Sequence, residues 1–395
     1  MSSRSIVTGI DIGTYQVKVV IASTHELNEK GFPRVLATGI AETKGIRHGY
    51  VVNAEDVAKS IHTAVKNAER IAKHKIKRAF VSIGGIGLGT ITSTCAIMVT
   101  RADSEITALD IQKLHHQCEK DIPQNIILNK KIIHQIPIQY KIDGKPVLGK
   151  PEGMKAHRLE VKILYITCLE HHVNDILQSV ESAGIEVQDV MASPIAASLV
   201  TLSKTQKIAG CVLANIGAET VSIAVFENNM PISLEVFPIG STDITNDIAL
   251  GLKVPLEEAE QIKIGAITGT SYPRKKLEDI IYARLTDIFE LIEAHLKKIG
   301  RSGLLPAGIV ITGGGSGLGT VDDFAKAALR LPARIGTIYT SAQEKENFKD
   351  STWAVAYGLC ILGINADEGP SLHNGAVALK RTKNTIIALF KQFLP

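Results

Sequence analysis

The sequence predicts an α/β fold built as two lobes, and three observations support this prediction. The chain has 395 residues, of which 45% are hydrophobic and 21% are charged, a balance typical of a globular protein long enough for two or more cores. Apolar segments with strand periodicity alternate with segments of helical periodicity over most of the length. Two similar hairpin sequences lie about 200 residues apart, which suggests one for each lobe.

Each hairpin sequence consists of an apolar run, an acid or its amide, a glycine turn and a second alternating apolar run. The first spans residues 10–20 and the second spans residues 214–224. A glycine turn lets backbone N–H groups approach an anion closely, so two facing turns can clamp a polyphosphate. The copies differ at Asp11 and Asn215, so only the first has a carboxylate at this position.

The first lobe is predicted from the remaining periodic segments before residue 210. Its elements are a helix over 54–73, a strand over 78–83 that ends at Gly84 and Gly85, a helix over 171–183, a strand over 187–191, and a helix with Ser193 as N-cap and Pro194 at the first helical position. Between them, alternating segments at 132–140 and 158–166 follow a short helix near 105–120, which indicates a small inserted α+β subdomain.

The second lobe is predicted to open at Gly210. Its elements are helices over 242–252, 255–264, 277–300 and 321–331, a strand over 308–312 that runs into a glycine-rich turn, and a buried segment over 353–362. The predicted organisation is a first-lobe core (1–84 and 165–209), an inserted subdomain (85–164), a second-lobe core (210–241 and 301–366), a second-lobe helical subdomain (242–300), a linker (367–383) and a terminal helix (384–395).

The hairpins and the glycine run supply candidate ligands for a nucleoside triphosphate. The predicted phosphate donors and contacts are Gly13, Thr14, Tyr15 and Lys18 on one side, and Asn215, Gly217, Ala218, Glu219 and Thr220 on the other. Asp11 is the candidate ligand for a hydrated Mg²⁺. The base and ribose are assigned to Gly313, Gly314, Gly315, Ser316, Glu260 and Lys263.

Each of these assignments has a structural alternative. Lys18 is also compatible with a solvated strand position, and the glycine run with a plain strand-to-helix turn. Glu260 and Lys263, three residues apart on a helix, also fit an ordinary surface ion pair.

The end of the chain has a helical apolar stripe. It consists of Ile386, Ile387, Leu389, Phe390, Phe393 and Leu394. Lys380, Arg381 and Lys383 precede the stripe, as an anionic membrane surface would favour. Burial of each large side chain contributes at most about 1.5–3 kcal/mol, so one tail should bind a membrane reversibly. The alternative is docking on the chain's own body or in a partner groove.

The composition limits the function classes. A formal net charge of +4 on this length does not indicate nucleic-acid binding. The five cysteines are scattered without metal-ligand spacing, which favours a reducing compartment, and neither a signal peptide nor a transmembrane stretch is evident. We therefore expect a cytoplasmic protein.

Together these motifs resemble the actin/Hsp70/sugar-kinase superfamily and, within it, the bacterial FtsA family. The resemblance covers almost the whole chain. It rests on residues 9–18, 45–53, 151–161, 245–249, 257–263 and 311–315 and on the terminal stripe. It implies an actin-like, ATP-binding protein that polymerises head to tail, tethers FtsZ filaments to the cytoplasmic face of the inner membrane at the septum, and recruits later division proteins.

The second phosphate motif departs from the family pattern, which has Asp-x-Gly-Gly-Gly-Thr. Here Asn215 replaces the aspartate, and Ala218 and Glu219 replace two glycines. An amide does not orient a metal-bound water as a carboxylate does, so we expect ATP binding with weak or absent hydrolysis. Two alternatives remain: a superfamily phosphotransferase acting on a small metabolite, and a pilus-assembly adaptor similar to PilM.

Overall fold

Two five-stranded sheets form the centres of two lobes in the computed structural model, which describes residues 6–27, 31–266, 272–338 and 350–367. A third, four-stranded sheet belongs to a segment inserted in the first lobe. The prediction of a mixed α/β fold with two lobes is confirmed. The predicted terminal helix, and all but the first residue of the predicted linker, lie outside the described residues.

The first lobe begins with a hairpin and a long amphipathic helix. Its elements are β1 (Ile6–Ile12), β2 (Gln16–Leu27), β3 (Pro33–Glu42), β4 (Ile46–Arg47), β5 (Tyr50–Val51), α1 (Ala54–Ala72) and β6 (Arg78–Ile83). Asn53 caps α1 by accepting from the backbone N–H groups of Glu55 and Asp56. The helix buries one face, including Val57 and Ile61, against the sheet.

The inserted segment forms its own antiparallel sheet with one helix packed against it. Its elements are β7 (Gly89–Met98), α2 (Ala108–Lys120), α3 (Gln124–Ile127), β8 (Lys130–Ile142), β9 (Lys145–Val147) and β10 (Arg158–Leu169), with sheet order β7-β10-β8-β9. Thr107 and Asp110 form a capping box at the start of α2. Leu114 and Tyr165 belong to its separate hydrophobic cluster.

The chain then completes the first sheet. The elements are α4 (Glu170–Ser182), β11 (Glu186–Ala192), α5 (Ser193–Thr201) and α6 (Lys204–Ala209), and the sheet order is β11-β6-β1-β2-β3. The prediction of Ser193 as N-cap is wrong, because Ala192 occupies that position. The Ser193 hydroxyl donates instead to the Ile83 carbonyl oxygen at 3.0 Å, which satisfies a buried acceptor at the end of β6.

The second lobe repeats the pattern of the first. Its elements are β12 (Cys211–Ile216), β13 (Val221–Glu227), β14 (Met230–Phe237), α7 (Ser241–Leu252), α8 (Leu256–Lys263), α9 (Arg274–Lys298), β15 (Ile309–Thr312), α10 (Val321–Leu329) and β16 (Ala333–Ile335). A short 3₁₀ turn at Gly314–Gly317 follows β15. Another at Ser351–Trp353 precedes the last described helix, α11 (Ala354–Asp367).

The two large sheets have the same strand order and directions. The second is β14-β13-β12-β15-β16, in which the hairpin strands are antiparallel and the β12-β15-β16 side is parallel, as in β1-β6-β11. The helix α11 packs on β1 and α5, so the chain ends its described part in the first lobe. A Cβ at Gly358 would collide with the Ala196 carbonyl oxygen, and glycine therefore permits this close packing.

Candidate functional site

The two hairpin turns face each other across a cavity of about 590 Å³, called here the interlobe cleft. Both turns lie at equivalent ends of their sheets, since β1 and β12 hold the same place in the two strand orders. Fourteen of the predicted site residues line the cleft: Asp11, Gly13, Thr14, Tyr15, Lys18, Asn215, Gly217, Ala218, Thr220, Glu260, Lys263, Gly313, Gly314 and Gly315.

The first hairpin brings a carboxylate and an ammonium group together. Asp11 on β1 pairs with Lys18 on β2 in the strand register. The Ser82 hydroxyl, on the neighbouring β6, donates to Asp11 Oδ1 at 2.8 Å. Burial raises the pKa of Asp11, while the Lys18 charge and the Ser82 hydrogen bond act in the opposite direction. The carboxylate is therefore held in place beside the cleft by the Ser82 hydroxyl, with the positive charge of Lys18 nearby.

Lys18 is not a solvated strand residue. It lines the cleft, and burial lowers its pKa against the opposing effect of Asp11 and Asp350. Its Nζ also lies 6.0 Å from the ring centroid of Trp353. A lysine so placed can act as a point charge toward an anion in the cleft.

The second hairpin has neutral residues at the matching positions. Asn215 pairs with Ser222 across the hairpin and with Thr312 on β15. The turn is held by the start of α7, because the backbone N–H groups of Ser241 and Thr242 donate to the carbonyl oxygens of Gly217 and Ala218 at 2.9 and 2.8 Å. This turn is therefore firmly positioned, and the paired residues Asn215, Ser222 and Thr312 carry no charge.

Of the residues predicted to bind nucleotide, Glu219 and Ser316 are the two that do not line the cleft. The Glu219 carboxylate points to the first lobe, where Oε2 accepts from the backbone N–H of His48 at 2.5 Å. The Ser316 hydroxyl donates to the Gly313 carbonyl oxygen at 2.7 Å and lies 3.1 Å from the Ser351 hydroxyl. The negative charge of Glu219 is thus turned away from the phosphate side.

Glu260 and Lys263 form more than a surface ion pair. Lys263 Nζ lies 2.7 Å from Glu260 Oε2 and donates to Thr245 Oγ1 at 2.9 Å and to the Ser241 carbonyl oxygen at 3.2 Å. The Lys263 side chain is only 7% exposed. The pair therefore links α8 to the start of α7 at the wall of the cleft.

Two positions of the glycine run leave no room for a Cβ: Gly313, and Gly315, where a Cβ would collide with Ile216 Cγ2. Gly313 has φ 86° and ψ 178°, a conformation that is essentially restricted to glycine. A Cβ there would collide with Asn215 Oδ1 and the Ile216 carbonyl oxygen. A Cβ at Gly314 would meet nothing within 4 Å, so this backbone is open to the cleft. A planar ligand can therefore approach the backbone here.

Several cleft residues were not predicted. They are Ile12, Gln16, Ile40, Gly49, Ser82, Gly84, Gly85, Ile176, Ser193, Ser222, Ser241, Thr242, Ile264, Gly317, Leu318, Asp350, Ser351, Thr352, Trp353 and Val355. Ser82 had a usable signal: it lies beside Asp11 as Thr312 lies beside Asn215, and the duplicated hairpins imply this match. Trp353 offered no such signal, because it reads as part of a buried segment.

The cleft offers limited metal chemistry. Among the described residues no group of three His, Cys, Asp or Glu side chains is arranged to hold a metal ion. Mg²⁺ commonly uses one or two carboxylates together with water and substrate phosphates, and the Asp11 carboxylate fits that pattern.

Within the described residues no helix is long and apolar enough to cross a membrane.

A two-lobed α/β fold with duplicated sheets and a cleft between facing hairpin turns defines the actin-like class. Solved structures agree: a chain of the PilM–PilN type IV pilus biogenesis complex matches with TM-score 0.66 and 19% identity, covering 91% of this chain and 99% of that one. MreB5 of Spiroplasma citri bound to AMPPNP matches with TM-score 0.51 and 12% identity, covering 93% and 98%.

Sequence comparison narrows the class to one family. The family model described as cell division protein FtsA matches residues 212–358, and that of the SHS2 domain inserted in FtsA matches residues 89–167. The cell division protein FtsA of Pseudomonas aeruginosa is 28% identical, covering 92% of this chain and 90% of that protein. FtsA of Bacillus subtilis is also 28% identical, covering 85% and 80%. The chain belongs to the FtsA family of cell division proteins.

Proposed function

We propose that this chain is an ATP-binding adaptor of the division septum. In this proposal it binds ATP with Mg²⁺ in the interlobe cleft and assembles head to tail. It tethers FtsZ filaments to the cytoplasmic face of the inner membrane and recruits later division proteins. The observation that supports it best is the cleft itself, lined by both hairpin turns in a chain of the FtsA family.

The residues of the cleft suit a nucleoside triphosphate. Backbone N–H groups of the two turns can face the phosphates, and Lys18 adds a positive charge. Asp11 would hold the hydrated Mg²⁺, which supplies charge neutralisation of the phosphates when bound. The open backbone at Gly314 can lie against the base. MreB5, which shares the fold, carries the ATP analogue AMPPNP in its solved structure.

We propose binding rather than turnover because of the second hairpin. Asn215 cannot accept a proton or orient a water as a carboxylate does, and its neighbours Ser222 and Thr312 are neutral. The carboxylate next along the turn, Glu219, is engaged by His48. ATP is thus proposed as a structural ligand of the assembled protein.

Membrane attachment is assigned to the terminal stripe at 386–394, and the predicted linker at 367–383 would let it reach the surface. Each tail should bind weakly, whereas a polymer that presents many tails should bind strongly by avidity. The inserted subdomain, predicted over 85–164, is proposed to contribute filament and partner contacts.

Nucleotide binding can be tested with the protein's own fluorescence. Trp353 is the single tryptophan of the chain and lines the cleft, so ATP with Mg²⁺ should change its emission in a saturable manner. Lys18→Met should raise the ATP concentration that gives half of the fluorescence change at least tenfold. Lys66→Met, on the exposed side of α1, should leave this concentration unchanged. Absence of both a fluorescence response and equilibrium binding of labelled ATP would contradict the proposal.

The adaptor role is tested by co-sedimentation with vesicles that contain anionic lipid, in the presence of ATP. The full chain should pellet with the vesicles and bring FtsZ with it, whereas a chain ending at Thr382 should leave both in the supernatant. Equal pelleting of the two chains would refute the role assigned to the tail.

A pilus-assembly adaptor is the second candidate, favoured by the TM-score of 0.66 with the PilM–PilN complex. The match of residues 89–167 to the subdomain inserted in FtsA weighs against it. Recruitment of FtsZ in the vesicle assay supports the septal adaptor, while retention of a PilN-type peptide in place of FtsZ would support the pilus role. Nothing in the described part of the chain favours a metabolite phosphotransferase.

A further inference from the structure

A carboxylate of the second lobe is bound by the first lobe at the mouth of the cleft. Besides the hydrogen bond from the His48 backbone N–H, the His48 imidazole lies beside the same residue. Its Nδ1 is 3.4 Å from the Glu219 carbonyl oxygen and 3.9 Å from Glu219 Oε2. The Glu219 side chain is 27% exposed, so the contact is partly shielded from water.

The first-lobe side of this contact is a constrained loop. Gly45 and Gly49 both have φ 80°, and His48 has φ 48°, an uncommon conformation for a residue other than glycine. A Cβ at Gly49 would collide with the Cα of Gly85, so the loop packs directly on the cleft-lining glycines after β6. The left-handed backbone at His48 is what aims its N–H at the other lobe.

The second-lobe side is equally well fixed. The turn at 217–220 receives hydrogen bonds from the start of α7, and a Cβ at Gly240 would collide with the Ala218 carbonyl oxygen. Glu219 therefore projects from a rigid turn onto a rigid loop. A hydrogen bond between two preorganised groups loses little entropy on formation, and one to a carboxylate is stronger than one between neutral groups.

A polyphosphate that accepts N–H donors from both turns would hold the lobes together in the same way. Glu219 supplies an anion that is covalently attached to one lobe and accepts from the other, so its effective concentration at the His48 N–H is high. The link requires a side-chain acceptor at position 219, which a glycine there would lack.

We propose that the Glu219–His48 contact is a clasp that keeps the lobes closed whether or not nucleotide is bound. Closure of the cleft, and with it the subunit shape presented for assembly, then depends little on ATP. The role given to ATP rests on the proposed function, but the clasp itself is a property of the chain alone.

Hydrogen exchange of the full chain, measured with and without ATP and Mg²⁺, tests the clasp. In the wild type the His48 amide and the turn at 217–220 should exchange slowly in both conditions. Glu219→Ala should speed exchange of the His48 amide at least tenfold without nucleotide, and Glu219→Gln, which keeps an acceptor, should lie between. Glu290→Ala, an exposed glutamate on α9, should match the wild type.

A second variant identifies the donor. His48→Asn removes the imidazole but keeps the backbone N–H and tolerates a left-handed backbone, so it should preserve slow exchange. Rapid exchange in His48→Asn would overturn the assignment to the backbone donor, and unchanged exchange in Glu219→Ala would overturn the clasp. The arm without nucleotide is read independently of ATP binding, so failure of the clasp and failure of the proposed function are separable.

Discussion

Replacing Lys263 by methionine tests whether the Glu260–Lys263 pair supports the second lobe. Methionine keeps the buried aliphatic stem and removes only the ammonium group. The change deletes the 2.7 Å contact with Glu260 and the two hydrogen bonds to Thr245 and Ser241. Those acceptors join α8 to the first two turns of α7, so the loss falls on the packing of the two helices.

The magnitude follows from the unequal burial of the pair. Removing one member of a buried ion pair costs about 3–5 kcal/mol when the remaining charge stays buried. Glu260, however, is 42% exposed, so water can solvate its freed carboxylate. The Thr245 hydroxyl also still donates to it at 2.6 Å. The expected loss in the free energy of unfolding is therefore about 2 kcal/mol.

Urea unfolding followed by circular dichroism measures this loss. Lys297→Met is a matched control, because Lys297 pairs with Glu293 one helical turn away at 3.4 Å but is 67% exposed. An exposed pair of this kind contributes at most about 0.5 kcal/mol. If Lys263→Met and Lys297→Met shift the unfolding midpoint equally, the pair is an ordinary surface feature and the reasoning is refuted.

Two further predictions concern a glycine and a histidine. Gly313→Ala should lower the free energy of unfolding by about 2 kcal/mol or more, because its Cβ would strike Asn215 Oδ1, whereas Gly314→Ala should be near neutral in urea titrations. Burial lowers the pKa of His134 to about 3, and its Nε2 accepts a hydrogen bond from the Ala192 N–H. Below pH 6.5 this histidine is therefore protonated in the unfolded state but stays neutral in the folded protein. Stability should therefore fall on acidification, by about 2 kcal/mol at pH 5 from this group, and His134→Gln should show a smaller loss between pH 7 and pH 5. Equal losses in the two proteins, or equal unfolding midpoints for the two glycine variants, would contradict the respective argument.

Local periodicity was sufficient for much of the fold. The helix α1 follows directly from its pattern, because it buries one continuous face. The strand over 78–83 does so because it is a continuous buried run. β14 was not predicted, because it includes Pro231 and is largely buried, so it shows no clean alternation. The prediction of Ser193 as N-cap failed because of a tertiary contact. The Ser193 hydroxyl donates to a buried carbonyl oxygen of β6, and the local sequence does not indicate this contact.

The site divides along the same line. The positions of the turn glycines Gly13 and Gly217 were predictable, because the turn alone sets where they lie. The direction in which a side chain points was not predictable. Glu219 lies in the second turn as predicted, but its carboxylate points away from the cleft, toward a first-lobe loop that only the tertiary fold brings near. Likewise the partners of Lys263 on α7 lie about 20 residues away in the sequence, and their approach depends on how the two helices pack.

The duplicated sheets show how one framework can serve two different roles. At matching positions the first hairpin has Asp11, Lys18 and the nearby Ser82, and the second has Asn215, Ser222 and Thr312. The first set brings two opposite charges to the cleft, where an anionic ligand and its metal would need them. The second set is neutral, and the one charge next to it is used to hold the other lobe. A cleft whose first hairpin carries the charges, and whose second hairpin carries a link to the other lobe, is better suited to retaining a nucleotide than to activating a water against it.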